Sequence, residues 1–256
     1  MKSKQKKFYN KRYSIMRRAL HKLQNVLVLF YDMRLIETVF EMLRVGSPDS
    51  VLEVGCGQGT DAILISRHAH QVVAIDVSSK AVKVATALSR IKCGSEKISF
   101  VVGDAEHLPF QKDLFDFVFF KDLLHHVSNS MSAMLEMKRV SRNAGKVVAI
   151  EANACNPEMI LIGLIYYSVD RGVFRNTKSK LIAAFEQAGF SHISVVETEF
   201  LPRHILFEYR SPLCSISPAK FTRILPVVRK IENNLQNLAI IRKFANYLII
   251  QGIKKV

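Results

Sequence analysis

The sequence has no Cys-x-x-Cys pair; its four cysteines, Cys56, Cys93, Cys155 and Cys214, stand far apart. That spacing argues against both a zinc site and a disulfide framework, so a reducing cytoplasm is the expected home. There is no run of about 18 apolar residues, hence no expected membrane span. The longest apolar stretch, MILIGLIYYSV at 159–169, suits a buried or interfacial helix. The basic start lacks the apolar core and small-residue cleavage site of an export signal, which predicts a protein that is not exported. Repeats, low-complexity tracts and Pro/Gly/Ser-rich linkers are missing too, so the 256 residues suit one large α/β unit with an added cap.

Acids are absent from residues 1–22, which hold nine Lys or Arg. Residues 202–256 hold ten basic residues against two acids, and the stretch between holds eighteen against twenty. The formal charge of +15 therefore sits at the two ends around a nearly neutral middle. Basic ends of this kind suit anionic lipid, nucleic acid or an acidic substrate, or serve only as solvated surface.

What the sequence does have is alternation. SVLEV (50–54), QVVAI (71–75), ISFVV (98–102), FDFVFF (115–120) and KVVAIE (146–151) read as strands, with helical stretches at 60–69, 79–91 and 129–141. Nearly continuous apolar strands separated by helices predict a parallel sheet covered on both faces, with ligands beyond the carboxyl ends of the strands. Residues 12–44 carry apolar positions at helical spacing and stop at Gly46-Ser47-Pro48. Downstream, 181–190 reads as a helix closed by Gly189, 192–200 as a strand, 218–236 as a helix and 245–255 as a last strand.

Three of the eleven glycines fall within five positions of VLEVGCGQGT (51–60). Such crowding implies positive φ angles or a ligand pressed against the main chain. The glycines follow the first strand and precede a helix, so backbone N–H groups and the helix amino end face whatever binds there. Asp76, at the end of the second strand, is placed to take ribose hydroxyls. Both features also suit a nicotinamide enzyme, but that fingerprint is GxGxxG, and here Thr60 stands where the third glycine belongs.

Glu53 lies two residues before the first glycine, and VVGDAEHLPF (101–110) puts an acidic turn after the third strand. In order and spacing, LEVGCGQGT, VVAIDVS, GDAEHLPF and FDFVFFKDLLHHV resemble the class I S-adenosylmethionine-dependent methyltransferases over residues 49–152, in particular the small-molecule branch with its ubiquinone/menaquinone-type enzymes. The resemblance implies an α/β fold, Rossmann-like and doubly wound, with a mostly parallel seven-stranded sheet and a helical insertion after the fifth strand. It divides the chain into a basic helical lead-in (1–46) and a methyltransferase domain (47–256) with a variable acceptor side at 152–236.

S-adenosyl-L-methionine is the implied cofactor. Gly55, Gly57 and Gly59, with Cys56 among them, would pack against its methionine part, and Glu53 would hold the loop and the amino end. Asp76 would bind both ribose hydroxyls, Val77 would touch the adenine, and Asp104 would accept from the adenine amino group beside the backbone of Ala105. Lys121 and Leu123 would line the methionine end. Cys56 fills a position that the family gives to a small residue or a cysteine, so no catalytic thiol is implied.

Methyl transfer needs near-attack geometry, and a base if the acceptor carries a proton. His125 and His126 are the candidate catalytic bases, with packing or helix capping as the alternative for either. Asp122 alone makes no carboxylate cluster, so no metal is expected. The Asn/Asp-Pro-Pro-aromatic and Pro-Cys runs of nucleic-acid base methylation are absent after the fourth strand, which favours a small-molecule acceptor over nucleic acid. Asn153, Asn156 and Pro157 fall where the superfamily often walls its acceptor. The apolar stretch beyond them suits an apolar or lipid-linked acceptor and peripheral contact with an anionic membrane, or simply an internal helix. A nicotinamide oxidoreductase and a non-catalytic RNA-binding module on the same fold are the alternatives.

Overall fold

The computed structural model describes residues 26–43, 48, 50–93, 96–165, 174, 176–202 and 218–255. The basic residues 1–22, residues 166–169 of the apolar stretch and Cys214 lie outside the described residues.

Seven strands form one sheet: β1 Ser50–Val54, β2 Gln71–Asp76, β3 Ile98–Val102, β4 Phe115–Lys121, β5 Ser141–Ala152, β6 Phe190–Thr198 and β7 Tyr247–Lys254. Their order is β3-β2-β1-β4-β5-β7-β6. The first five are parallel, and β7 runs antiparallel between β5 and β6. The expected mostly parallel, doubly wound sheet is thus what forms. Strand order reverses at β1, whose neighbours are β2 and β4, and the connections leaving β1 and β4 diverge there to open a crevice.

Side chains alternate across the sheet, which is why it has a core on each face. Phe117 and Phe119 of β4 join one core and Val118 and Phe120 the other. Into the first core packs α1 (Val26–Leu43) through Leu35, Ile36, Val39 and Leu43, together with α2 (Thr60–Ile65) and α3 (Ser79–Cys93). Into the second pack α4 (Ser130–Val140), through Ala133, Met134 and Met137, and α6 (Lys178–Gln187), through Leu181 and Phe185. The insertion after β5 is helix α5 (Pro157–Ile165), and α7 (Pro218–Asn237) and α8 (Ala239–Arg242) precede β7. No helix among the described residues is long and apolar enough to cross a membrane.

Several boundaries differ from expectation for local reasons. Helix α2 ends at Ile65 rather than residue 69, because Arg67 and His68 donate to carbonyls three residues back, Leu64 and Ile65, and tighten the chain into a turn. Helix α6 starts three residues early, capped by the Thr177 hydroxyl that accepts from the Lys180 N–H. It ends ahead of Gly189, whose φ of +78° delivers the chain directly into β6 at Phe190 instead of 192. Strand β5 begins at Ser141 and bulges before Lys146, with Ala144 at φ 60°.

Candidate active site

The glycine loop leaves β1 through three left-handed residues: Gly55 (φ 80°), Gly57 (φ 52°) and Gly59 (φ 75°). Any side chain there is strained, and space is short as well. A Cβ at Gly59 would lie 2.7 Å from the Phe100 ring and 2.8 Å from Ala85 Cβ; one at Gly55 would lie 2.8 Å from Leu123 Cδ1. The Gly55 and Cys56 N–H groups donate to the Ile75 carbonyl at 2.8 and 3.0 Å, which fastens the loop to β2. From the end of β2, Asp76 accepts the Gly57 N–H at Oδ2 and the Ser78 N–H at Oδ1, both at 2.8 Å. Each oxygen keeps a second lone pair. Burial pushes the Asp76 carboxyl up, opposed by those two N–H groups. Burial, then the charges of Glu53 and Asp76, push the Cys56 thiol well up, so this cysteine stays protonated and is no nucleophile.

Next to the loop, Glu53 is 2% exposed, and its Oε2 has no hydrogen-bond donor among the described residues. Burial raises its pKa well above the ordinary range, and Asp61 and Asp76 push the same way against Lys121 and the Ala62 N–H. Lys121, the last residue of β4, places Nζ 3.1 Å from Asp32 of α1 and 3.4 Å from Asp61 of α2. Among the described residues, Glu53, Asp32 and Asp61 thus gather around Lys121.

The turn after β3 is pinned from outside. Asp104 Oδ1 accepts the Glu106 N–H at 3.0 Å, and the buried Glu106 takes the Ser128 and Asn129 N–H groups at 2.8 and 3.3 Å. From α4, Glu136 accepts the Leu108 N–H at 2.8 Å, and Arg139 donates to the Leu108 and Phe110 carbonyls. Asp104 and Ala105 stay half-buried, and Val77 is exposed at the same edge.

The structure separates the two histidines. His125 Nδ1 lies 3.0 Å from Glu151 Oε2, and these side chains are 3% and 0% exposed. Glu151 Oε1 accepts the N–H groups of Leu123 and Leu124 at 2.9 and 2.8 Å, and Asn176 Nδ2 donates to Oε2 at 2.7 Å. Glu151 Oε2 beside Nδ1 favours the His125 tautomer that carries its proton on that nitrogen, and Asn176 Nδ2 also lies 3.3 Å from it. The His126 ring lies 3.9 Å from that of His125, centre to centre. Sequence reading missed Glu151, Asn176, Asp32 and Asp61. A usable signal was present for two of them: a carboxylate inside a mostly apolar stretch, KVVAIEA or FYDMRLI, is buried only with partners.

Asn153 and Asn156 turn away from the role expected of them. Asn153 Nδ2 donates to the Lys243 and Ala245 carbonyls, and Asn156 Nδ2 to the Phe244 carbonyl and Asn246 Oδ1. A groove of about 490 Å³ between α1, α7 and β6, lined by residues such as Arg34, Glu37, Thr198 and Arg229, shares no residue with the glycine loop or the histidines. Among the described residues no group of three or more His, Cys, Asp or Glu could hold a metal ion.

Comparison with known proteins agrees with this geometry. The family described as Methyltransferase domain (Methyltransf_11) matches residues 52–149. The uncharacterized methyltransferase YcgJ of Bacillus subtilis is 32% identical over 101 residues, 40% of each chain. Its crystal structure superposes with a TM-score of 0.60 at 20% identity, covering 89% of this chain and 99% of YcgJ. The demethylmenaquinone methyltransferase of Mycobacterium marinum is 31% identical over 125 residues, 48% of this chain and 49% of that one. The chain thus spans less than half the length of these two curated relatives in sequence. The phosphoethanolamine N-methyltransferase 2 of Haemonchus contortus, solved in complex with S-adenosyl-L-methionine, shares the fold with a TM-score of 0.56 at 18% identity, over 83% of this chain and 50% of that one. Residues 52–149 thus match a methyltransferase domain, on a fold shared with solved methyltransferases.

Proposed function

We propose that the protein moves the methyl group of S-adenosylmethionine to a small, apolar or lipid-linked acceptor whose reacting atom carries a proton, with His125 as the base. The observation that carries the reading is the buried Glu53 oxygen, without a donor among the described residues, beside three left-handed glycines. A buried carboxylate oxygen is costly unless a donor reaches it, and an α-ammonium group is such a donor. The glycine loop admits close approach of the methionine part. Asp76 has lone pairs for ribose hydroxyls, and Asp104 and Ala105 are held where an adenine edge would lie. The residues present therefore fit the cofactor, which when bound supplies a methyl group on a positively charged sulfur.

His125 takes the acceptor's proton as the acceptor atom takes the methyl. Glu151 positions it by holding Nδ1–H. Lys121 is tied to Asp32 and Asp61 and serves as a structural cation at the methionine end. The nicotinamide reading lapses with the family match, and the apolar α5 and the demethylmenaquinone methyltransferase relatives support an apolar acceptor.

Labelled S-adenosylmethionine incubated with the protein and a lipid extract of host cells is expected to give a labelled, extractable product. In the same assay His125→Ala and Glu151→Gln are expected to keep cofactor affinity while transfer falls by about 10² and 10-fold or more respectively, and His126→Ala to lose less. Label found only in RNA, or full transfer by His125→Ala, would overturn this assignment.

A further inference from the structure

We propose that α5 and the α7–α8 segment together form a docking surface for an anionic lipid bilayer. On α5 only Glu158, Met159 and Gly163 are buried, while Ile160, Leu161, Leu164 and Ile165 are 38%, 49%, 59% and 67% exposed. Along α7, α8 and the turn after them, Ile224, Val227, Ile231, Leu238, Ile240 and Phe244 are exposed as well. Single exposed apolar residues are ordinary on a soluble protein, but two such series that meet are not.

The two series meet where Asn153 and Asn156, at the entrance to α5, bond the backbone of Lys243, Phe244 and Ala245 at the exit of α8. Ile224, Val227 and Ile231 fall within an arc of about 60° on α7 at 100° per residue, and Arg223 and Lys230 both lie beyond one edge of that arc. Arg242 and Lys243, both exposed, fall between Ile240 and Phe244 of the second series.

Charge decides the occupant. The only acid in residues 218–245 is Glu232, which is fully buried and accepts the Phe200 and Leu201 N–H groups; the only acid in α5 is Glu158, also buried. The exposed face of these described segments is therefore apolar and cationic without an acid. That combination matches a bilayer with anionic headgroups, into which the apolar residues insert while Arg and Lys reach the phosphates. A second copy of the chain would bring like charges together, and nucleic acid has no use for the apolar centre. The surface stands apart from the assignment of the base, since it requires only the packing of α5 against the α8–β7 turn.

Flotation of the full chain with vesicles of phosphatidylglycerol and phosphatidylcholine, against phosphatidylcholine alone, tests the surface. Binding to the anionic vesicles only, with release in high salt, is expected. The pairs Arg242→Glu/Lys243→Glu and Leu164→Ser/Ile165→Ser are each expected to lower partitioning by about tenfold or more. S-adenosylhomocysteine affinity, read by calorimetry on both variants, is expected to be unchanged, which separates lost docking from lost folding and from a failed cofactor assignment. Equal binding by variants and wild type, absence of the wild type from both vesicles, or variants that turn a wild-type dimer into monomers would each overturn the proposal.

Discussion

Glu53 and Asp76 are carboxyls held above their ordinary range by burial, and this has a sign that can be worked out. Below the ordinary carboxyl range, about 4, folded and unfolded chains both carry the proton and the contribution to stability is fully present. As pH rises the unfolded chain loses the proton while the folded chain keeps it, so stability falls until the raised folded value is passed. Asp116 and Glu136, whose pKa values are lowered, act in the opposite sense and lose stability as pH falls. The difference between wild type and Glu53→Gln isolates the first effect: the ligand-free variant is expected to lose less stability between pH 5 and pH 8, in urea titrations (range chosen about the carboxyl values). A cationic ligand favours ionised Glu53, so S-adenosylmethionine is expected to release a proton on binding, seen as a buffer-dependent calorimetric enthalpy, and to bind Glu53→Gln more weakly by about 1.5–3 kcal/mol. Identical enthalpies in buffers of different ionisation heat would remove Glu53 from the ammonium site.

At this same scale, what could be read in advance was what lies next to its signal in the chain. The glycines, Asp76 and Asp104 each terminate a strand and sit in a turn, so local spacing marks them. Asp32 meets Lys121 across 89 residues, and Glu151 meets His125 across 26, and no local pattern encodes those partners. The two asparagines after β5 were misread for the same reason. Their amides are used by the turn before β7, about 90 residues on.

Among elements, the β1–α2 turn concentrates the most constraint in the fewest residues. Gly59 combines φ 75° with a Cβ position blocked by an aromatic ring and by Ala85 of α3, whereas Gly55 is opposed only by the end of the Leu123 side chain. Leucine can swing; packed ring and helix cannot. Gly59→Ala is therefore expected to cost about 2–5 kcal/mol in denaturant unfolding, the sum of left-handed strain and overpacking, and Gly55→Ala about 1–2 kcal/mol. Equal losses would mean that strain alone matters and that the contact with Phe100 relaxes freely. The strands were legible because each is a short apolar run between turn residues; helix ends were less so, since caps such as Thr177 and the carbonyl pairings after α2 depend on one or two atoms.

For the molecule as a whole, the site joins α1, α2, β1, β2, β4 and β5, so a ligand there ties the sheet to the lead-in helix. S-adenosylmethionine at about a hundred times its Kd is expected to add about 2.7 kcal/mol to stability and raise the melting temperature by about 5–10 °C, with no response to NAD. A shift with NAD alone would reverse the assignment of the crevice.

The position of β7 was the part of the topology that spacing could not supply. An apolar run at 245–255 reads as a strand but carries no statement of its neighbours, and an antiparallel place between β5 and β6 follows only from completing both cores. That place has a kinetic meaning. Strand β6 has no partner until β7 arrives, since its only neighbour in the sheet is β7. During synthesis the ribosome therefore releases β1 to β5 as a sheet whose β5 edge, covered in the finished fold, is still open, and β6 waits while the chain runs on through α7 and α8. An open edge of that length is a template for pairing with another chain, so the interval before Tyr247 emerges is when a nascent molecule is most exposed to misassembly and most in need of a chaperone.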